Sequence, residues 1–151
     1  MAIGLGALGI AAGAFLLWPG EERGKPVPEP IAPLTLAEGK AVYQAACAAC
    51  HGADLEGEPN WRQRNADGSM PAPPHDDSGH TWHHPDGYLF AYTKWGGQAV
   101  MAQMGVEGVS AMPAFGDRLS DAEIAAVLAY IKSTWSPRSR SYQEALTEQE
   151  G

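Results

Sequence analysis

The chain has 151 residues, 44% of them hydrophobic, with 18 acidic against 10 basic side chains and a formal net charge of -8. That length suits one domain with extensions, and the acidity excludes the basic footprint expected of a nucleic-acid binder. No paired carboxylates, phosphate-binding glycine loop or nucleophile–base pair stands out, so hydrolase or transferase chemistry has no residues to carry it.

Residues 2–18, AIGLGALGIAAGAFLLW, carry no charge. At about 1.5 Å per helical residue, this stretch just spans a hydrocarbon core of roughly 30 Å. No Lys or Arg precedes it and no clear A-x-A cleavage site follows. It reads as an uncleaved membrane anchor, with a signal segment removed on export as the alternative. Residues 19–33, PGEERGKPVPEPIAP, are five prolines in fifteen, a composition that favours extended polyproline II and a semi-rigid spacer.

The compact domain is expected over residues 34–135. Thr35-Leu36-Ala37-Glu38 is a capping-box pattern. The helix behind it places Leu36, Gly39 and Tyr43 on one face. Gly39 costs about 1 kcal/mol against Ala there, which a close approach by another helix would explain. A middle helix begins at Pro85-Asp86, carries Leu89, Phe90 and Tyr92, and ends at Gly96-Gly97. Ser120-Asp121-Ala122-Glu123 is a second capping box. It opens a helix with Ile124, Val127, Leu128 and Ile131 in one stripe and Tyr130 beside it. No alternating strand pattern appears. The expectation is an all-α domain with long loops, whose small core needs an apolar cofactor to complete it. Residues 136–151 read as a flexible tail or a short terminal helix.

Cys47-Ala48-Ala49-Cys50-His51 uses both cysteines of the chain. A thioredoxin-like disulfide needs a βαβ context, which is missing, and a structural zinc site needs a second ligand pair. The remaining reading is C-x-x-C-H, the attachment pattern of c-type haem. Two thioethers reach two vinyl groups of one macrocycle, so the sulfurs sit about one helical turn apart. His51 then offers its imidazole to the iron. Such attachment takes place outside the cytoplasm, which agrees with an N-terminal export or anchor segment. The protein is thus expected on the periplasmic side of a bacterial inner membrane, or soluble in the periplasm if the segment is cleaved.

The segments AEGKAVYQAACAACHG, YLFAYTKWGG and MPAFGDRLSDAEIAAVLAYIKSTW together resemble a class I cytochrome c of the small, monohaem bacterial kind. The likeness covers residues 34–135. It implies a cytochrome c fold of three to five helices around one covalent haem c, with the first and last helices of the domain crossing and Gly39 against Tyr130. It also implies Met112, in the MPAF stretch, as second axial iron ligand, with Met101 and Met104 as the alternatives. His/Met ligation raises the reduction potential and leaves no open coordination position. The function it implies is a single-electron carrier, not an enzyme, working in a respiratory chain toward a terminal oxidase or reductase. Two alternatives stand beside it. One is a haem protein with a labile Met112 that binds a gas or peroxide. The other is a copper-handling protein built on the histidine loop.

That loop, APPHDDSGHTWHHPDG, holds His75, His80, His83 and His84. The four are candidate ligands of a second metal. The competing reading is loop structure and haem enclosure, in which Trp61, Arg62 and Trp82 donate to the haem propionates, because buried anions need donors. Pro71, Pro73 and Pro74 read as loop punctuation without chemistry of their own. Three of the 18 acidic residues (Glu21, Glu22, Glu29) and two of the 10 basic ones (Arg23, Lys25) precede Leu34, which leaves the domain acidic. The expected partners are redox proteins with a basic docking patch, bound more weakly as salt rises, together with the membrane through residues 2–18 and no nucleic acid.

Overall fold

The computed structural model describes residues 34–150, so the expected anchor and linker lie outside the described residues. Among the described residues there are six α-helices, one 3-10 turn and no strand. The helices are α1 Leu36–Ala46, α2 Ala48–His51, α3 Asp86–Trp95, α4 Gly97–Gln103, α5 Asp121–Ser133 and α6 Pro137–Glu150, with the 3-10 turn at Thr81–His83. None of these helices is long and apolar enough to cross a membrane.

Both capping boxes form. Thr35 Oγ1 accepts from Glu38 N–H at 3.3 Å, and Glu38 Oε2 accepts from Thr35 N–H at 2.6 Å. Ser120 and Glu123 repeat the exchange at the start of α5. Each box satisfies two of the four orphan donors at its helix start.

The crossing of α1 and α5 is the most extensive helix contact. A Cβ built on Gly39 would collide with the backbone carbonyl of Ala126 and lie 3.1 Å from Tyr130 Cβ. The glycine that helix propensity disfavours therefore marks the point where the two backbones meet. Tyr43, Cys47, Leu55, Leu89, Val127, Ile131 and Trp135 form the core around the crossing. Ile124 is also buried and Leu128 partly so, as the stripe predicts, but Leu36 is 52% exposed and lies off the buried face.

Helix α4 was not expected, and α6 was only one of two readings of the tail. Gly96, at φ +81°, ends α3 and turns the chain directly into α4, so Met101 lies on a helix rather than on the ligand loop, and Met104 caps it. The flexible tail is instead α6, the helix alternative. Ser136 Oγ accepts from Ser139 N–H at 3.3 Å and Pro137 takes the first helical position, a start that needs no apolar stripe. Gln143 is fully buried, and its Nε2 donates to Asp86 Oδ1 at 2.7 Å, Thr147 Oγ1 at 3.0 Å and His84 O at 3.3 Å. The N-cap of α3, Pro85, has no capping side chain, and α6 supplies the missing acceptors: Asp86 N–H donates to Thr147 Oγ1 at 3.1 Å and Gly87 N–H to Glu150 Oε2 at 3.0 Å. Lys132 closes the same corner with an ion pair to Asp86 at 2.7 Å, a partly exposed contact of modest worth.

Two substitutions test this packing. Gly39→Ala gains about 1 kcal/mol of helix propensity, yet the clash with Ala126 O is expected to leave the protein less stable by about 1–3 kcal/mol in denaturant unfolding. Gln143→Ala removes a buried amide whose two N–H donors are shared among three acceptors, and is expected to cost about 1–3 kcal/mol. Its effect should appear first as lost hydrogen-exchange protection in α6.

Candidate haem site

Cys47 stands at the junction of α1 and α2, as C-cap of one and N-cap of the other. Its carbonyl accepts from Cys50 N–H at 3.1 Å and from His51 N–H at 3.0 Å, which winds the motif into one tight turn. No disulfide joins the two cysteines, Cys47 being buried and Cys50 exposed. Before a thioether forms, burial, and next the neighbouring Cys50, push the Cys47 thiol up to about 11. The turn is fastened from behind by Tyr43, whose buried hydroxyl donates to Gly52 O at 3.0 Å, with His51 O at 3.3 Å.

His51 is buried, and its Nδ1 lies 2.8 Å from Pro73 O. A carbonyl only accepts, so Nδ1 carries the proton and the lone pair belongs to Nε2. Burial lowers the His51 pKa, opposed by the Pro73 hydrogen bond and by Glu58. A neutral imidazole with an oriented second nitrogen is the form that ligates a metal. Pro73 therefore does carry chemistry, through its carbonyl, and the punctuation reading is corrected. The two thiols one turn apart and the free Nε2 fit a covalently attached haem.

Met112 is partly buried on a loop pinned at both backbone groups: its N–H donates to Ser110 Oγ at 3.3 Å, and its carbonyl accepts from Gly97 N–H at 3.0 Å. Ser110 is in turn held by Gln98 Oε1 at 3.0 Å and by the Tyr92 hydroxyl at 3.0 Å. An isolated bridge between Ser69 and Val109 ties the strip leading to Pro73 to the strip leading to Met112. Of the alternatives, Met101 has its sulfur 4.0 Å from Tyr92 Oη, the hydroxyl that also meets Ser110, and Met104 is 59% exposed.

Residues 36–135 match the model of the Cytochrome c family. The chain belongs to the cytochrome c family. No curated protein matches it. Family membership makes the cofactor covalent haem c, whose C-x-x-C-H spacing Cys47, Cys50 and His51 carry, and makes the all-α architecture a cytochrome c fold. Bound there, haem supplies a one-electron couple between ferrous and ferric iron. Helix α6 lies beyond the matched segment.

Of the two readings of the histidine loop, the fold favours loop structure over a second metal. Among the described residues no group of three or more His, Cys, Asp and Glu is placed to hold a metal ion. The four rings pack in the loop: His75 stacks on His51, His80 on Trp61 and His84 on Tyr88, His83 meets Trp82 and Tyr142 edge-on, and His80 meets His84 edge-on at 5.5 Å. The Trp82 indole N–H, expected as a propionate donor, donates to Asp77 O at 3.4 Å. Arg62 covers the Trp61 ring at 4.0 Å and donates to Ser78 O at 3.3 Å. Trp61, Arg62 and Trp82 thus help to order the loop. Sequence reading missed Pro73, Ser110 and Gln98, whose roles are set by contacts across the fold. The proline cluster following the haem motif was the one available signal.

Burial, then the charges of His80 and His83, lower the His84 pKa to about 4; burial also lowers His80. The folded state therefore binds these protons less readily than the unfolded chain, whose histidines titrate near 6.5. Their contribution to stability is complete above about pH 6.5 and is lost as the pH falls toward about 4. Chemical unfolding of the holoprotein at a series of pH values should give a midpoint that declines through that window. His84→Phe should flatten the decline.

Proposed function

We propose that this cytochrome c is a membrane-anchored, monohaem, single-electron carrier with His51 and Met112 as axial ligands. It works on the periplasmic side of a bacterial inner membrane, passing electrons along a respiratory chain to a terminal oxidase or reductase. The observation that carries the reading is the two-sided fastening of the Met112 backbone, by Ser110 and Gly97. A thioether is a weak ligand, and a loop pinned on both sides of its Cα limits how far the sulfur can retreat. A six-coordinate iron changes oxidation state with little rearrangement and offers no position to a gas or peroxide. The electron enters and leaves singly, and no proton or bond moves with it.

The wider context draws on the sequence. Residues 2–18 serve as anchor and residues 19–33 as spacer. The acidic balance of the domain suits a partner with Lys and Arg around its own redox centre, in a small and transient interface. Copper handling finds no support in the ring packing of the histidine loop.

The test is the absorption spectrum of the reduced holoprotein before and after carbon monoxide. An unchanged low-spin spectrum is expected, and a prompt shift would overturn the closed-iron carrier. Met112→Ala should become reactive to carbon monoxide and show a lower reduction potential. A variant with unaltered spectrum and potential would remove Met112 from the coordination sphere.

A further inference from the structure

The strip that receives the His51 Nδ1–H also delivers a second imidazole against it. The His51 and His75 rings stack with centroids 3.8 Å apart and planes 18° from parallel. Electrostatics does not recommend the pair, since two imidazoles bring no opposite charges together. The His75 Nδ1 is sealed from water and has no hydrogen-bond partner. An unmet polar atom in the interior is destabilising, and an apolar side chain of similar size would avoid it.

His75 is nonetheless held from every side. Its backbone N–H donates to Leu55 O at 2.8 Å, and its carbonyl accepts from Trp135 Nε1 at 2.7 Å. Its ring meets Tyr43 edge-on at 5.9 Å and presents a face to His51. Two residues on, Asp77 accepts from Ser136 N–H at 2.9 Å, at the start of α6. The backbone contacts fix the place of His75, and Tyr43 at the edge confines the plane of its ring.

We propose that His75 is a positioning residue for the axial histidine, its ring face setting the rotational orientation of the His51 imidazole over the haem. A single hydrogen bond to Pro73 O leaves the His51 ring able to swing about the N···O line. A parallel ring at van der Waals separation removes that freedom. Partners of a metal-bound histidine commonly fix its orientation through its second nitrogen; here a stacked ring adds a constraint on the plane. Trp135 carries the same constraint back to the end of α5. The proposal rests on His51 being the proximal ligand and is independent of the identity of the distal one.

The orientation of an axial imidazole sets the pattern of the four haem-methyl signals in the paramagnetic proton NMR spectrum of a low-spin ferric haem. The experiment uses the full-length holoprotein. In the ferrous wild type, nuclear Overhauser cross-peaks are expected between the His51 and His75 rings. In the ferric state, His75→Leu is expected to redistribute the four methyl signals, while His75→Phe, which keeps a stacked ring without an imidazole, retains the wild-type order. Absence of the ring-to-ring cross-peaks would overturn the proposal. So would a His75→Leu protein with the wild-type pattern, including one that merely unfolds earlier, or a His75→Phe protein as redistributed as His75→Leu. If His75→Leu fails to fold, the cross-peaks and His75→Phe decide. Loss of His51 ring signals from the haem-shifted region of the wild type would instead strike at the ligand assignment beneath the proposal.

Discussion

Everything at the haem site depends on how closely α1 and α5 approach. Gly39 lets the Ala126 carbonyl come where a Cβ would stand. One turn later, Tyr43 is driven fully into the core, and its hydroxyl reaches the carbonyls of His51 and Gly52. The crossing therefore does more than bury apolar surface. It sets the position of the turn that carries both cysteines and His51. The same crossing aligns the far end of α5, so that Trp135 meets His75 from the opposite side. An iron ligand must be held within a fraction of an ångström, and here a backbone-to-backbone contact, the least deformable kind available, supplies the reference.

The long stretch between the haem motif and α3 has no regular structure apart from one 3-10 turn, yet it is well ordered by its side chains. Rings stack on rings from Trp61 through His80 and His84 to Tyr88 and Tyr92. Asp67 and Asp76 each accept from a following Ser, and Arg62 seals Trp61. Neutral imidazoles serve well here, being planar like aromatics and polar at the edge. The cost is a set of histidines whose protonation burial opposes, so loop order and acid sensitivity have one cause.

Helix α6 acts on this loop from outside. It has almost no apolar stripe and is held instead by what it does for others: it caps α3 through Thr147 and Glu150, and it anchors Asp77 through Ser136. The buried Gln143 links it to Asp86 and to the His84 carbonyl. A polar helix can belong to a folded core when its donors and acceptors complete another element's unfinished hydrogen bonds.

What the sequence by itself determined were features whose physics is local. The capping boxes at Thr35 and Ser120, the stripe of α5 and the Cys47–Cys50–His51 motif each depend on spacing within one or two turns, and each stands in the fold. Gly39 was legible as an anomaly because its propensity cost demanded a neighbour. The Ser136-Pro137 start of α6 is equally local, but the helix behind it lacks an apolar face, which leaves a flexible tail and a terminal helix as equal readings. Only the tertiary structure decided which carbonyl would orient His51, how Ser110 and Gln98 would brace Met112, and that His75 would stack on His51. The Pro73, Gln98 and His75 contacts join residues 22, 12 and 24 positions apart. They depend on side-chain direction after packing, which the periodicity of a sequence does not encode.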